Sequence, residues 1–347
     1  MIPVKGYAAQ NPKAPLAPHK FERRELGPHD ILIDIKYCGV CHSDIHMARD
    51  EWGGSMYPLV PGHEIVGIVN KVGTAVKKFK AGDLAGVGVI VDSCRTCSSC
   101  KQGLEQYCEV HWVPTYSGYE MDMKTITYGG YSNQIVTDEN FVLRISEKLK
   151  LEGVAPLLCA GITTYSPLRH WKVSKGNKVA VAGLGGLGHM AVKFAAAFGA
   201  EVTMLSTSTS KQADAKRLGA THFINTRDEE DVKKNKNQFD VIIDTISAQH
   251  NVDDYVSLLK LNGTMVMVGI PPEDPTFHVS GLISKRKAIA GSMIGGVKET
   301  QEMLDFCAEK NIVSDVEIIA IKDINAAYER MMKGDVRYRF VIDMSTL

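Results

Sequence analysis

The chain lacks the features that would direct it across a membrane or onto nucleic acid. Its first residues, MIPVKGYAAQNPKAPLAPHK, contain no unbroken apolar core of the kind that a signal peptide carries. No stretch approaches the roughly 18 apolar residues that a membrane span requires. Lys and Arg number 40 and so do Asp and Glu, so no net charge attracts nucleic acid or anionic lipid. We therefore expect a cytoplasmic protein without nucleic-acid or membrane partners.

Internal repeats and low-complexity tracts are also missing from the 347 residues, a length that suggests two domains. In the first part of the chain, β-branched and apolar runs such as DILIDIKYCGV and HEIVGIVNKVG alternate with Gly, Pro and Asp. This pattern is typical of an irregular antiparallel β domain. From about Leu151, short apolar runs such as KVAVAG and FDVIIDT alternate with helical segments. The second pattern predicts a doubly wound parallel sheet, so the fold class is α/β.

A glycine-rich segment, GLGGLG, stands between a predicted strand and a predicted helix. Its spacing is G-x-G-x-x-G, and this context is the one that a dinucleotide site requires. The first glycine permits a tight turn, the second lets the backbone approach a pyrophosphate, and the third lets the helix pack on the strand. A glycine-rich turn without a ligand is the alternative. The predicted cofactor-binding residues of this loop are Gly183, Gly185, Gly186, Leu187 and Gly188.

The strand that follows ends without the acidic residue with which NAD-preferring sites hold the ribose hydroxyls. In its place, LSTSTSK offers hydroxyl groups at Ser206, Thr207 and Ser208 and a cation at Lys211. These groups can bind a 2′-phosphate, and no carboxylate repels it. The sequence therefore favours NADP(H), with a solvated Ser/Thr turn that accepts either cofactor as the alternative.

Half of the eight cysteines stand close together, in the spacing C-x2-C-x2-C-x7-C. Four thiolates on one short loop can close a tetrahedral zinc site, and a closed site has no position for substrate. We predict a structural zinc that orders a loop with little core of its own, bound by Cys94, Cys97, Cys100 and Cys108. Disulfides are disfavoured without secretion. An iron–sulfur cluster is the other alternative, although its bacterial motif needs three residues before the fourth cysteine and Pro after it.

Several motifs resemble the zinc-dependent medium-chain alcohol dehydrogenases, most specifically their cinnamyl alcohol dehydrogenase-like branch. GHEIVGIVNKVGTAV fits the zinc signature of that family, GHE-x2-G-x5-G-x2-V. The segments CGVCHSD, YPLVPGHE, LLCAGITTYSPL and GSMIGG are similar to segments of the same branch. The resemblance extends over nearly the whole chain. Residues 109–130 have no clear counterpart, and we expect them to border the substrate cleft.

The resemblance implies a discontinuous catalytic domain. Residues 1–150 and 295–347 would form a GroES-like zinc domain, and residues 151–294 a Rossmann NADP(H)-binding domain. It also implies two zinc ions per chain, one of them at the four-cysteine loop. The other would be catalytic, with Cys41, His63 and Cys159 as its ligands. Relatives pair their Rossmann sheets edge to edge, so a homodimer is expected.

Single residues also take expected roles from the resemblance. Glu64 corresponds to the acid beside the zinc, and Asp44 to the carboxylate that orients the ligand histidine. Ser43 and His46 match a relay that moves a proton from the substrate oxygen through the cofactor ribose toward solvent. The remaining matches are a pyrophosphate contact at His42, a nicotinamide contact at Thr163 and substrate-pocket positions at Trp52, Met293 and Ile294. Packed salt bridges and ordinary core positions are the alternatives for these residues.

These features predict a zinc-dependent NADP(H) alcohol dehydrogenase or aldehyde reductase, with aromatic or aliphatic aldehydes as substrates. One alternative is an NAD-dependent polyol or secondary-alcohol dehydrogenase, which would need the missing acid. A zinc-free quinone reductase can share the fold but needs none of the ligands. The non-enzymatic alternatives are an NADPH-binding redox sensor and a zinc-ribbon nucleic-acid module, and the zero net charge argues against the second.

Overall fold

The computed structural model describes all residues from Met1 to Leu347, and they form two compact units. The first unit contains residues 1–162 and 295–347, and the second contains residues 163–294. The first unit thus extends beyond the expected boundary at residue 150. The reason is packing, because a Cβ placed on Gly153 would lie only 2.9 Å from Cβ of Val313 in the C-terminal segment of the same unit.

The strands are numbered here in chain order, and their bounds are β1 Ile2–Ala8, β2 Ala17–Arg23, β3 Asp30–Gly39, β4 Ile65–Val72, β5 Leu84–Val87, β6 Ile90–Ser93, β7 Trp112–Pro114, β8 Gln134–Asp138, β9 Leu143–Arg144, β10 Lys178–Ala182, β11 Glu201–Ser206, β12 His222–Asn225, β13 Phe239–Asp244, β14 Leu259–Met267, β15 Ala288–Gly291, β16 Val316–Ala320 and β17 Arg339–Asp343.

The α-helices are α1 His42–Ala48, α2 Ser98–Lys101, α3 Leu151–Val154, α4 Ala160–His170, α5 Gly188–Ala197, α6 Gln212–Leu218, α7 Glu229–Lys234, α8 Val252–Leu258, α9 Val279–Ile283, α10 Val297–Lys310 and α11 Ile324–Met332. Short 3-10 helices span Glu105–Tyr107, Glu139–Phe141, Ala155–Leu158, Thr209–Lys211, Ile321–Asp323 and Met344–Thr346. None of the helices combines the length and the apolar composition that crossing a membrane requires.

The second unit is built on one parallel sheet with strand order β12-β11-β10-β13-β14-β15. This order corresponds to the 3-2-1-4-5-6 arrangement of a Rossmann fold, with β10 as its first strand. Four of the five residues of β10, Val179–Ala182, are completely buried, as expected for a strand with helices on both faces of the sheet. The predicted doubly wound sheet is confirmed.

The first unit contains a seven-stranded sheet of mostly antiparallel strands, ordered β16-β17-β3-β4-β5-β9, with β8 also paired to β3. The pairs β1–β2 and β6–β7 form two smaller sheets. Strand β17 pairs antiparallel with β3, so that Val341 faces Gly39 and Ile342 faces Cys38. The C-terminal segment is therefore built directly into the sheet of the N-terminal segment. The core between them includes Ile33, Ile65 and Phe340, all fully buried.

Candidate active site

A buried cluster of potential metal ligands lies in the first unit. Its members are Cys41, His63, Glu64 and Cys159, whose ligand atoms all lie within 4.8 Å of one another. Cys41 precedes helix α1, His63 and Glu64 precede strand β4, and Cys159 lies between a 3-10 turn and helix α4. The structure thus brings together the three predicted catalytic zinc ligands and the predicted neighbouring acid.

The distances within this cluster fit a zinc ion. Sγ of Cys41 lies 3.9 Å from Sγ of Cys159, and Nε2 of His63 lies 3.3 Å from the same sulfur. Tetrahedral zinc with ordinary bond lengths would separate two thiolate sulfurs by about 3.8 Å, and an imidazole nitrogen from a sulfur by about 3.6 Å. Two thiolates and one imidazole also form a donor set typical of catalytic zinc.

The Asp44 carboxylate contacts two members of the cluster, Cys41 and His63. Its Oδ2 accepts the backbone N–H of Cys41 at 2.9 Å, a capping interaction that starts helix α1. Its Oδ1 lies 3.2 Å from Nδ1 of His63. This contact occupies one imidazole nitrogen and directs Nε2 toward the two sulfurs, the arrangement by which a carboxylate orients a metal-binding histidine.

Glu64 is completely buried, and its charge is paired with Arg339 of strand β17. Oε1 accepts a hydrogen bond from the guanidinium group, whereas Oε2 has no hydrogen-bond partner. Burial raises the pKa of Glu64 to about 7, and the positive charge of Arg339 opposes that rise. A buried acid with one unpartnered oxygen therefore lies beside the predicted zinc ligands.

The four remaining clustered cysteines form a separate site on the loop around helix α2. Their sulfurs also lie within 4.8 Å of one another, with Cys94 to Cys100 and Cys97 to Cys108 both at 3.9 Å. Backbone N–H groups of Thr96 and Cys97 lower the pKa of the Cys94 thiol to about 6. These distances fit four thiolates around one zinc ion. No open position remains, as expected for a structural site.

The glycine-rich loop of the second unit leaves room for a ligand. Gly183 has a φ of +87°, which favours glycine, and a Cβ on Gly188 would collide with the carbonyl oxygen of Gly183. A Cβ on Gly185, in contrast, would meet no atom within 4 Å, so the backbone is open to an approaching pyrophosphate. Nζ of Lys211 donates to the carbonyl oxygen of Leu184 at 3.1 Å. This bond joins the predicted phosphate-binding turn to the glycine loop.

Comparisons with known proteins identify the family. Residues 27–147 match the alcohol dehydrogenase GroES-like domain, and residues 186–309 match the zinc-binding dehydrogenase family. The chain is 55% identical over 346 residues to the aldehyde reductase YahK of Escherichia coli (strain K12), with 99% of each chain covered. It belongs to the zinc-binding alcohol dehydrogenases.

Two further relatives of this dehydrogenase agree with that assignment. One is NADP-dependent alcohol dehydrogenase C 1 of Mycolicibacterium smegmatis, 53% identical over 348 residues, with 100% of this chain and 99% of the relative covered. The other is the crystal structure of CAD from Helicobacter pylori complexed with NADP(H), with a TM-score of 0.93, 47% identity and 99% of both chains covered. The predicted family, the GroES-like and Rossmann fold class and the oxidoreductase activity are confirmed.

The predicted relay residues of the dehydrogenase lie along helix α1. Oγ of Ser43 is 3.7 Å from Sγ of Cys41, beside the buried cluster. One helical turn further on, Nδ1 of His46 lies 2.5 Å from Oε2 of Glu51, and the imidazole stacks on Trp52 with ring centroids 4.8 Å apart. The His46 side chain keeps 23% of its surface exposed. Helix α1 thus carries the Ser43 hydroxyl beside the buried cluster and, one turn later, the partly exposed His46 imidazole.

The other predicted residues of the dehydrogenase are distributed over both units. His42 is exposed at the start of helix α1, whereas Thr163 is buried in helix α4 and belongs to the second unit. Met293, 41% exposed, and Ile294 are also in the second unit. Ser206 is buried at the end of β11, and the neighbouring Thr207 is exposed. Two of the remaining predicted cofactor contacts, Gly186 and Leu187, lie in the glycine-rich loop between β10 and α5. The third, Ser208, lies in the turn after β11.

Sequence reasoning missed several residues around the cluster. Arg339 pairs with Glu64, and Tyr116 stacks on His63 with ring centroids 5.8 Å apart. Tyr131 and Tyr328 are buried next to Asp44, where burial and then the Asp44 charge raise both phenol pKa values well above 10. One weak signal was available for Arg339, which is the single cation of strand β17 and precedes three apolar residues. The tyrosines gave no comparable signal.

The segment without a clear counterpart, residues 109–130, contains a hairpin. After strand β7, a bridge pairs Tyr119 with Ile126, and Asp122 closes the turn by accepting the N–H groups of Lys124 and Thr125. Through Tyr116 this segment contacts His63 directly. It therefore borders the cluster of predicted zinc ligands.

Proposed function

We propose that the protein is a zinc-dependent NADP(H) alcohol dehydrogenase that reduces aldehydes and oxidises the corresponding alcohols reversibly. The observation that carries the proposal is the buried Cys41–His63–Cys159 donor set, whose distances suit one zinc ion. The names of the relatives, an aldehyde reductase and an NADP-dependent alcohol dehydrogenase, support it. Two zinc ions per chain are assigned, one at this set and one at the four-cysteine loop.

When bound, the zinc supplies Lewis-acid polarisation of a carbonyl oxygen and NADP(H) supplies the hydride. Asp44 keeps the His63 imidazole in the orientation that presents Nε2. Glu64 contributes a negative charge beside the zinc ligands, moderated by Arg339. The chain itself thus tunes the charge and geometry of the site, while burial excludes water from it.

Transfer of the proton in the reaction is assigned to Ser43 and His46. The Ser43 hydroxyl lies beside the ligand Cys41 and gives its proton to the substrate oxygen. His46, partly exposed and paired with Glu51, supplies the proton from the solvent side. An imidazole suits this position because its ordinary pKa lies near neutrality.

The preference for NADP(H) is assigned to the turn after β11. Ser206, Thr207, Ser208 and Lys211 provide hydroxyl groups and one cation, and no carboxylate lies among residues 206–211. The contact from Lys211 to Leu184 O keeps this turn beside the glycine loop that would hold the pyrophosphate. Thr163 and His42 are proposed as further cofactor contacts, and Trp52, Met293 and Ile294 as substrate-pocket residues.

The two units are assigned different functions. The unit of residues 1–162 and 295–347 is proposed as the zinc catalytic domain, and the unit of residues 163–294 as the NADP(H)-binding domain. A homodimer is proposed through the edge strand β15, one side of which is unpaired. A cytoplasmic location is proposed because none of the eight cysteines forms a disulfide and both thiolate sites need a reducing compartment.

The deciding experiment measures the rate of cofactor oxidation with cinnamaldehyde, using NADPH and NADH in parallel. We expect turnover mainly with NADPH. Thr207→Asp should shift the ratio of the two rates toward NADH, because a carboxylate repels the 2′-phosphate and can hold ribose hydroxyls. Equal rates with both cofactors would overturn the phosphate-site assignment. Binding of NADPH without turnover of any aldehyde or alcohol, in protein containing two zinc ions, would instead favour the redox sensor.

A further inference from the structure

The carboxylate of Asp44 is fully buried, and hydrogen-bond donors surround both of its oxygens. Oδ1 receives the backbone N–H of Gly62 at 3.1 Å and lies 3.2 Å from Nδ1 of His63. Oδ2 receives the N–H of Cys41 at 2.9 Å and the hydroxyl of Tyr131 at 3.3 Å. A buried carboxylate is costly unless its lone pairs are satisfied. Besides the ligand histidine, the side chains that bond Asp44 are Tyr131 and Tyr116.

The hydroxyl of Tyr131 is held in turn by a second tyrosine. Oη of Tyr328, on helix α11, lies 3.4 Å from Oη of Tyr131. Because Tyr131 must donate its only hydroxyl hydrogen to the carboxylate, its oxygen accepts the hydrogen of Tyr328. The order of donation is therefore fixed, from Tyr328 to Tyr131 to Asp44. All three side chains are buried, with 4% of Tyr328 and 0% of Tyr131 and Asp44 exposed, so bulk water does not compete for these hydrogen bonds.

We propose that Tyr131 and Tyr328 are positioning residues that hold Asp44, and through it the zinc ligand His63, by this directed chain of hydroxyl groups. The inference rests on the proposed function, in which His63 binds the catalytic zinc. It gives the C-terminal helix α11 a role at the metal site, although its Tyr328 is separated from Tyr131 by 197 residues in sequence.

The hydroxyl groups, rather than the rings, carry this role. A phenylalanine would fill the same space and bury more apolar surface without needing a hydrogen-bond partner. Removing the Tyr131 hydroxyl leaves one Asp44 lone pair unsatisfied in a dry site, so the carboxylate can turn away from His63. Partners of this kind typically change metal affinity by about 10- to 100-fold.

The test measures the affinity of the holoenzyme for each of its two zinc ions, by competition with a chromogenic chelator. For Tyr131→Phe we expect about 10- to 100-fold weaker binding of one zinc and unchanged binding of the other. Tyr328→Phe should weaken the same zinc by a smaller factor. The double variant should match Tyr131→Phe alone, because Tyr328 acts only through Tyr131. The visible spectrum of the Co²⁺-substituted site should also change in Tyr131→Phe, since it reports ligand geometry.

Two further variants complete the test. Tyr255→Phe removes the hydroxyl of a buried tyrosine in the second unit, and it should leave both zinc affinities and the cobalt spectrum unchanged. His63→Ala identifies the catalytic zinc. Wild-type affinities in Tyr131→Phe and Tyr328→Phe, with one zinc lost from His63→Ala, would overturn the positioning role and leave the proposed function intact. Retention of both zinc ions by His63→Ala would overturn the proposed function and this inference together.

Discussion

Glu64 and Arg339 form an ion pair that is almost completely removed from water, with side-chain exposures of 0% and 5%. Desolvating two charges costs free energy, and their attraction offsets that cost only while both are present. The pKa of Glu64, about 7, shows that burial still acts strongly on the acid in the presence of its partner. The pair is therefore sensitive to the loss of either member.

Arg339→Met tests this dependence. The variant leaves Glu64 buried without a counter-charge, and we expect a loss of about 3–5 kcal/mol in the free energy of unfolding, with reduced aldehyde turnover. Urea denaturation at neutral pH gives the stability. The double variant Glu64→Gln with Arg339→Met contains no unpaired buried charge and should regain part of the lost stability. If the double variant is less stable than Arg339→Met alone, the charge pairing does not account for the loss.

Sequence separation explains which of these residues could be predicted. Cys94 and Cys108 are close in sequence, so spacing alone indicated a shared metal. Cys41, His63 and Cys159 are scattered, and only the family resemblance joined them. The bond from Arg339 to Glu64 spans 275 residues, and the bond from Tyr131 to Asp44 spans 87. No periodicity or motif connects positions so far apart, and neither Arg339 nor Tyr131 indicates its partner by itself.

At the scale of elements, the loop from Ser93 to Glu109 contains only a one-turn helix and a 3-10 turn. Many of its polar contacts involve the cysteine sulfurs, as where the N–H groups of Cys97, Cys100 and Glu109 point to Sγ atoms. Helices this short are not stable by themselves. A bound zinc would therefore supply much of the order in this loop.

Cys100→Ala should release one zinc per chain and loosen this loop before it affects the chemistry. Limited proteolysis should cut within residues 93–109 faster than in the parent enzyme, and the thermal midpoint should fall. Turnover per catalytic zinc should persist in the folded fraction. Cys307→Ala is the matched control, because Cys307 is also buried but lies outside both clusters, and it should retain two zinc ions. A stable Cys100→Ala protein with one zinc and no turnover would contradict the structural assignment.

Elements with a strong periodic or alternating pattern were predictable, and short irregular ones were not. The run KVAVAG became β10, and ETQEMLDFCAEK lies within α10. Residues 151–162 gave no signal of the unit they would join, because that depends on packing against distant residues such as Val313. The hairpin within residues 109–130 was equally hidden, since its turn depends on side-chain bonds of Asp122 rather than on glycine.

For the whole molecule, the open edge of the Rossmann sheet is the feature that bears on assembly. Strand β15 lies at the end of the strand order and is partly exposed, and an unpaired edge tends to pair with another chain. Next to it in sequence, Val279 and Ile283 of helix α9 expose 59% and 75% of their surface. Exposed apolar side chains that precede an open edge strand in sequence are consistent with burial against a second copy.

Ile283→Asp places a charge in this surface, and we expect it to convert the proposed dimer into a monomer. Sedimentation velocity at micromolar concentration measures the change in mass directly. Ile318→Asp is the matched control, because Ile318 is also an exposed isoleucine, at 52%, but it lies on β16 of the other unit. It should leave the dimer intact. Dissociation by Ile318→Asp and not by Ile283→Asp would place the interface on the catalytic unit. A parent enzyme that sediments as a monomer would contradict the proposed dimer.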